Sequence, residues 1–168
     1  MRVIRLCKTI LVASVALLFS LFALGNITDY GSNWAFVQHV MSMDTIFPDS
    51  TLRWRAITDP TLQTAVYWSI IAWQVLTALV LWVGAARMLA ASSTGRFAAT
   101  KPTAATGLTM AMLLYAVGFV AIGGEWFAMW QSEQWNGQDA AFRFITLAGI
   151  VLIVLLLPEP DGEARQSA

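Results

Sequence analysis

The chain has 168 residues, of which 58% are hydrophobic and 12% charged, with a mean hydropathy of +0.64. Soluble domains carry roughly 25% charged residues, so this composition excludes disorder and argues against a water-soluble globule. Ten Lys and Arg balance ten Asp and Glu, leaving no bulk basicity to attract nucleic acid, and one Cys with one His excludes an intrachain disulfide, a thiolate metal cluster and any mechanism needing two imidazoles from one chain.

Four stretches carry no charge: residues 9–28, 60–86, 102–124 and 144–158. A helix needs roughly 20 apolar residues to cross about 30 Å of hydrocarbon. The first three runs meet that length, and the fourth meets it if it starts near Ala140 and takes Arg143 into its first turn, where the side chain snorkels or finds a carboxylate. The apolar residues are continuous rather than alternating, which argues against a transmembrane barrel. The expectation is an all-α membrane protein, a single domain over 1–168 with four transmembrane helices at about 7–25, 62–86, 105–131 and 139–157. Pro158 and Pro160 end the last helix, and a polar, disordered tail follows over 159–168. The first run also fits a secretory signal, with a basic start and a small-residue site at Ala23-Leu24-Gly25. Retained helix or cleaved signal, the other three helices keep the same orientation.

Between the first two spans lies an outer loop, 26–60, rich in apolar residues for a solvated segment. Residues 32–43 can form a short helix with Trp34, Val37 and Met41 on one stripe, and a second short helix can start at Asp49-Ser50 and take in Leu52, Trp54 and Ile57. Together they are expected to form a helical cap. Arg2, Arg5, Lys8, Arg87, Arg96 and Lys101 flank the opposite ends of the helices, which predicts that side, with both termini, to be cytoplasmic. The cap side holds Asp29, Asp44, Asp49, Asp59, Glu125, Glu133 and Asp139 against Arg53, Arg55 and Arg143.

Candidate binding residues gather on the cap side. Trp34, Trp54, Trp126, Trp130 and Trp135 fall there, either as an interfacial belt or as the lining of a pocket for a quinone, lipid or other flat amphiphile. Residues 123–144 hold Glu125 and Arg143 at similar depth on antiparallel helices across a turn at Asn136-Gly137. Each charge is costly alone near hydrocarbon, so a pair is expected. His39, Met41, Met43 and Asp44 lie close in sequence, and imidazole with thioethers is a soft set suited to copper(I), although Met residues also serve simply as packing. Gln74, in the middle of the second span, is expected to hydrogen-bond to another helix. Gly123-Gly124 and Ala148-Gly149 offer close helix approach, while no strict GxxxG pair occurs in the last two helices. Nucleotide-binding glycine loops, HExxH and GxSxG are absent from the sequence, and no catalytic residue or cofactor is expected.

The stretches FVQHVMSMDTIFP with the following WRAI, and GGEWFAMWQSEQWNGQDAAFRF, resemble a bacterial family of predicted small integral membrane proteins of unknown function. The resemblance runs from the first helix through the fourth and implies a four-helix inner-membrane protein. It supplies no activity or site residue. The residues themselves suggest an accessory protein whose periplasmic-side cap binds a partner through Trp34, His39, Asp44, Trp54, Glu125, Trp126, Trp130 and Arg143. The alternative is a small-molecule or soft-metal site in the same place. Membrane lipids, another membrane protein or a second copy of the chain are the expected partners, and nucleic acid is not. A channel or transporter is disfavoured because Gln74 alone is strongly polar at mid-helix.

Overall fold

The structure, a computed structural model, describes residues 2–158; the expected tail at 159–168 lies outside the described residues. Five helices carry the fold. They are α1 (Arg2–Thr28), α2 (Tyr30–Ser42), α3 (Pro60–Ala91), α4 (Phe97–Leu113) and α5 (Gln138–Leu156). Beyond Leu113 the α4 rod continues without a break as a π-helix over Leu114–Trp126. The four helices α1, α3, α4 with its π extension, and α5 are long and apolar enough to cross a membrane. They form an all-α bundle in which α1 packs on α3, α3 on α4 and α4 on α5.

The distribution of side-chain size explains the packing. Ala16, Ala78, Ala85, Ala104, Ala111 and Ala148 are buried, whereas Leu17, Leu21, Leu79, Val83, Ile150 and Ile153 are exposed. Hydrocarbon is as apolar as leucine, so burying large side chains gains little there; small residues instead let backbones approach and gain dispersion contacts. α3 and α4 approach each other closely, backbone to backbone. A Cβ at Gly84 would stand 2.8 Å from Ala104 Cα, and one at Gly107 would stand 2.7 Å from Leu81 Cγ. The seam is therefore set by Gly84 and Gly107 and not by Ala148-Gly149, where a Cβ at Gly149 would make only an ordinary contact, 3.6 Å from Met112 Cε.

Several boundaries differ from expectation. α3 begins at Pro60, capped by Asp59 Oδ1, which accepts from the amides of Thr61 (2.7 Å) and Leu62 (3.2 Å), and it runs on to Ala91 because no breaker intervenes. The third span starts at Phe97, earlier than about 105, and ends at Trp126, short of 131, where Ala128 takes a left-handed φ of 52°. α2 matches the expected short helix. The second cap helix is reduced to one 3₁₀ turn, Arg53–Arg55. Arg53 accounts for this: its guanidinium donates to the carbonyls of Met43 (3.4 Å), Ile46 (3.2 Å) and Phe47 (3.3 Å), which gathers the loop around a side chain and leaves no continuous helical ladder.

The two ends of the bundle are chemically different. At one end Lys8 Nζ (2.7 Å) and Lys101 Nζ (3.0 Å) both donate to the Leu157 carbonyl, and Arg5 donates to the Thr94 carbonyl (2.8 Å). Cations thus meet the orphan carbonyls after helix α5 and in the α3–α4 turn, where the helix dipoles favour them. The first and last described segments lie together at this basic end. The other end carries α2 and the cap, held by a second apolar cluster of Val37, Met41, Met43, Ile46, Tyr67, Ile71, Phe127 and Ala128.

Candidate functional site

The cap is fastened down from three directions. Trp34 Nε1 donates to Thr64 Oγ1 (3.2 Å), tying α2 to α3. Phe36 stacks on Phe119 of the π-helix with centroids 6.0 Å apart, and His39 stacks on Trp135 at 4.6 Å with the ring planes 14° apart. Thr45 Oγ1 and Ser132 Oγ share a hydrogen bond of 2.8 Å. His39 Nδ1 also donates to Asp44 Oδ2 at 2.8 Å. That pair is partly exposed and contributes on the order of 0–1 kcal/mol. Burying a methionine side chain stabilises by about 1.5–3 kcal/mol, so Met41 and Met43, 4% and 1% exposed, hold the cap more than the ion pair does.

The residues of the less favoured copper reading stand in two different settings. The thioethers of Met41 and Met43 are committed to the apolar cluster beneath the cap, while the imidazole of His39 lies at its surface between Asp44 and Trp135. Glu125 and Arg143 are likewise not the expected pair: both are exposed, and no ion pair joins them within 4.0 Å. The end of the π-helix is served instead by Arg55, whose guanidinium donates to the carbonyls of Glu125 and Trp126 (3.3 Å each) and lies over the rings of Trp126 (4.9 Å) and Trp54 (5.4 Å). That cation meets carbonyls at the negative end of the helix dipole and stacks on two indole rings. Trp54, Trp126 and Trp130 stay exposed at the rim, with Trp130 edge-on to Phe47 (5.8 Å).

The concave feature lies deeper. A cavity of about 350 Å³ opens between α1, α2, α3, the π-helix and α5. Phe22, Phe36, Tyr67, Tyr115, Phe119 and Phe144 supply its aromatic walls, and Asn26, Asn33 and Gln74 its side-chain amides. A second, smaller cavity of about 140 Å³ sits beside it under α2. Phe36, Val37, Ile70 and Phe119 line both, so the Phe36–Phe119 stack is the partition between them. The expected tryptophans Trp34, Trp54, Trp126 and Trp130 line neither cavity.

Helical geometry explains why these residues converge. Tyr67 and Gln74 are seven apart, two turns along one face of α3. Tyr67 Oη donates to the Asn26 carbonyl (2.9 Å), and Asn26 Nδ2 donates to Gln74 Oε1 (2.6 Å). The expected interhelical bond of Gln74 is thus present, and its partner is Asn26 of α1. The wide turns of the π-helix, in which the Phe127 amide donates to the Ile122 carbonyl five residues back (3.0 Å), carry Tyr115 and Phe119 to the cavity wall. Helices of this kind are rare and recur at functional sites. Asn26, Tyr67, Tyr115 and the phenylalanines escaped the sequence reading because they look like ordinary apolar-segment residues. The signal that could have found Asn26 is its amide, which, like that of Gln74, sits in a charge-free run and needs a partner.

No curated protein and no solved structure matches the chain. Residues 4–158 match the family described as "Predicted small integral membrane protein (DUF2165)". That match spans the four long helices, the cap and the cavity, and the chain therefore belongs to this family of small integral membrane proteins.

Proposed function

We propose that this is a bacterial inner-membrane binding protein without catalytic activity, which takes a membrane-dissolved small molecule into the cavity beneath its cap. The observation that carries the reading is the cavity itself: about 350 Å³, within the size range of small-molecule pockets, walled by aromatic rings and polar at a few points. None of its lining residues is charged, which suits a neutral amphiphile arriving from the bilayer. The basic end is assigned to the cytoplasm and the cap to the periplasmic side, on the strength of the Arg and Lys residues at that end.

Gly25 offers the cleanest test. It lines the cavity, and a Cβ there meets nothing within 4 Å, so Gly25→Leu should fill the space without disturbing the helices. Mass spectrometry of protein taken gently into native nanodiscs should find a small molecule retained by the wild type and lost from Gly25→Leu at equal thermal stability. Equal recovery from both, or nothing beyond bulk phospholipid from either, would overturn the reading. A second reading, docking of a partner protein on the cap, draws on the exposed Trp54, Trp126 and Trp130 around Arg55. Aromatic and Arg side chains are favoured at interface centres. It predicts that Trp54→Ala abolishes a co-purifying protein and leaves the small molecule in place.

A further inference from the structure

The cavity has two polar groups that the fold leaves unused. Gln74 is 4% exposed and Tyr115 5% exposed, and both line the cavity. Gln74 Oε1 accepts from Asn26 Nδ2, which commits the oxygen of that amide and leaves its Nε2 as a donor with no partner among the described residues. Tyr115 Oη likewise has no hydrogen-bond partner among the described residues, although its ring packs against Phe19, Phe119 and Phe144. Neither atom is sealed inside the packing, so each is reached from the cavity, where a ligand oxygen can accept its hydrogen bond in place of water. Two donors without a protein partner, facing one cavity from two different helices, are the bonds a ligand seated there can take up.

Resting on the reading that the cavity is a ligand site, we infer that it holds an uncharged flat ring bearing carbonyl or ether oxygens, of the benzoquinone type, with Gln74 Nε2 and Tyr115 Oη as the two donors. The ring is flat because the walls are rings: Phe22 and Phe144 meet edge to face at 4.9 Å, and Phe36 and Phe119 stack at 6.0 Å. It is uncharged because no lining residue offers a counter-charge. Its oxygens are acceptors because Gln74 is held donor-outward by Asn26 Nδ2, which donates to Gln74 Oε1 (2.6 Å), while Tyr67 Oη, bonded to the Asn26 backbone carbonyl (2.9 Å), also reaches Asn26 Oδ1 (3.4 Å) and so orients that amide. Asn26 and Tyr67 are positioning residues: they do not donate to the ring, but they decide which end of the Gln74 amide faces it. An attached alkyl chain can leave past Leu21, which lines the cavity and is exposed on the outside of the bundle.

The test uses full-length protein in phosphatidylcholine nanodiscs, a tritiated decyl benzoquinone as probe, and decylbenzene, which has the same chain and no oxygens, as competitor. Wild type should bind the quinone saturably, and decylbenzene should fail to displace it at equal concentration. Gln74→Leu and Tyr115→Phe should each weaken binding about tenfold, the effect of one lost buried hydrogen bond. Tyr115→Phe keeps the ring and its packing, so it remains informative if Gln74→Leu fails to fold. Asn26→Ala should weaken quinone binding by a similar factor while leaving binding of a tritiated decylbenzene unchanged, which a merely structural role would not do. Equal competition by decylbenzene together with unaffected variants would overturn the assignment of the donors and leave the cavity as an apolar site. Absence of saturable binding of either probe, with no small molecule recovered from the native protein, would overturn the binding reading as well.

Discussion

Single residues in this protein act mostly by meeting backbone groups that helix ends and the cap loop leave without a partner of their own. Asp59 is the clearest case. Its carboxylate accepts from the Thr61 and Leu62 amides at the start of α3, and these bonds hold its carboxyl below the usual 3.8. A lowered value in the folded state means that the cap stabilises above the unfolded carboxyl's pKa and is lost as pH falls through the folded one. Asp59→Ala should therefore lower thermal stability at neutral pH, Asp59→Asn should lower it less, and the gap between wild type and Asp59→Ala should narrow as pH falls through the lowered pKa of the folded carboxyl. Unfolding of the three proteins in detergent as a function of pH checks this. Arg53 and Arg55 do the converse, donating to carbonyls of the cap loop and of the π-helix end. Their side chains were legible in the sequence as cap-side cations, but not as carbonyl caps, because the carbonyls they serve come from distant or irregular segments.

At the level of elements, close backbone approach and aromatic stacking decide how helices meet. Gly84→Ala would place a methyl 2.8 Å from Ala104 Cα, backbone that cannot swing aside, so α3 and α4 must separate. Overpacking of this kind costs about 1–3 kcal/mol. A lowered melting temperature for Gly84→Ala beside an unchanged one for Gly31→Ala, whose Cβ meets nothing within 4 Å, would bear this out. α2 depends on different chemistry: Trp135 stacks on His39 and meets Phe36 edge-on at 6.1 Å. Pairs of this type contribute roughly 0.5–1.5 kcal/mol, so Trp135→Ala should speed amide exchange in α2 by about two- to tenfold while α1 is unaffected. If α2 exchanged no faster, the apolar cluster under it alone would be holding the cap. The end of α1, both ends of α2, the start of α3 and both ends of α5 could be anticipated to within about three residues from charge-free runs and caps. The π-helix could not, since the composition of residues 114–126 suits an α-helix as well.

On the scale of the whole molecule, an overall charge of zero conceals two unlike ends: a basic one, where Arg5, Lys8 and Lys101 meet carbonyls, and an aromatic, acid-rich one beneath which the cavity opens. The proposed orientation is checked by cysteine labelling in a Cys7→Ser background. Gly31→Cys at the cap should react with a membrane-impermeant maleimide in intact spheroplasts, and Gly95→Cys at the basic end should react only after permeabilisation. The reverse pattern would place the cap in the cytoplasm. What the sequence by itself determined is the number of long helices, their approximate limits, the short cap helix and the obligation of Gln74 to find a partner, because hydrocarbon demands long uninterrupted apolar runs and penalises every lone polar group. Only the tertiary structure decided which partners were taken. Arg55 serves the π-helix end in place of an Arg143–Glu125 pair, Met41 and Met43 pack inward away from His39, and the cavity is walled by phenylalanine and tyrosine with the expected tryptophans left at the rim. The physical reason is that burial cost is a property of each residue, readable along the chain, whereas its compensation depends on which helix faces stand opposite one another, and that is settled by small-residue seams such as Gly84 against Ala104 far from the site.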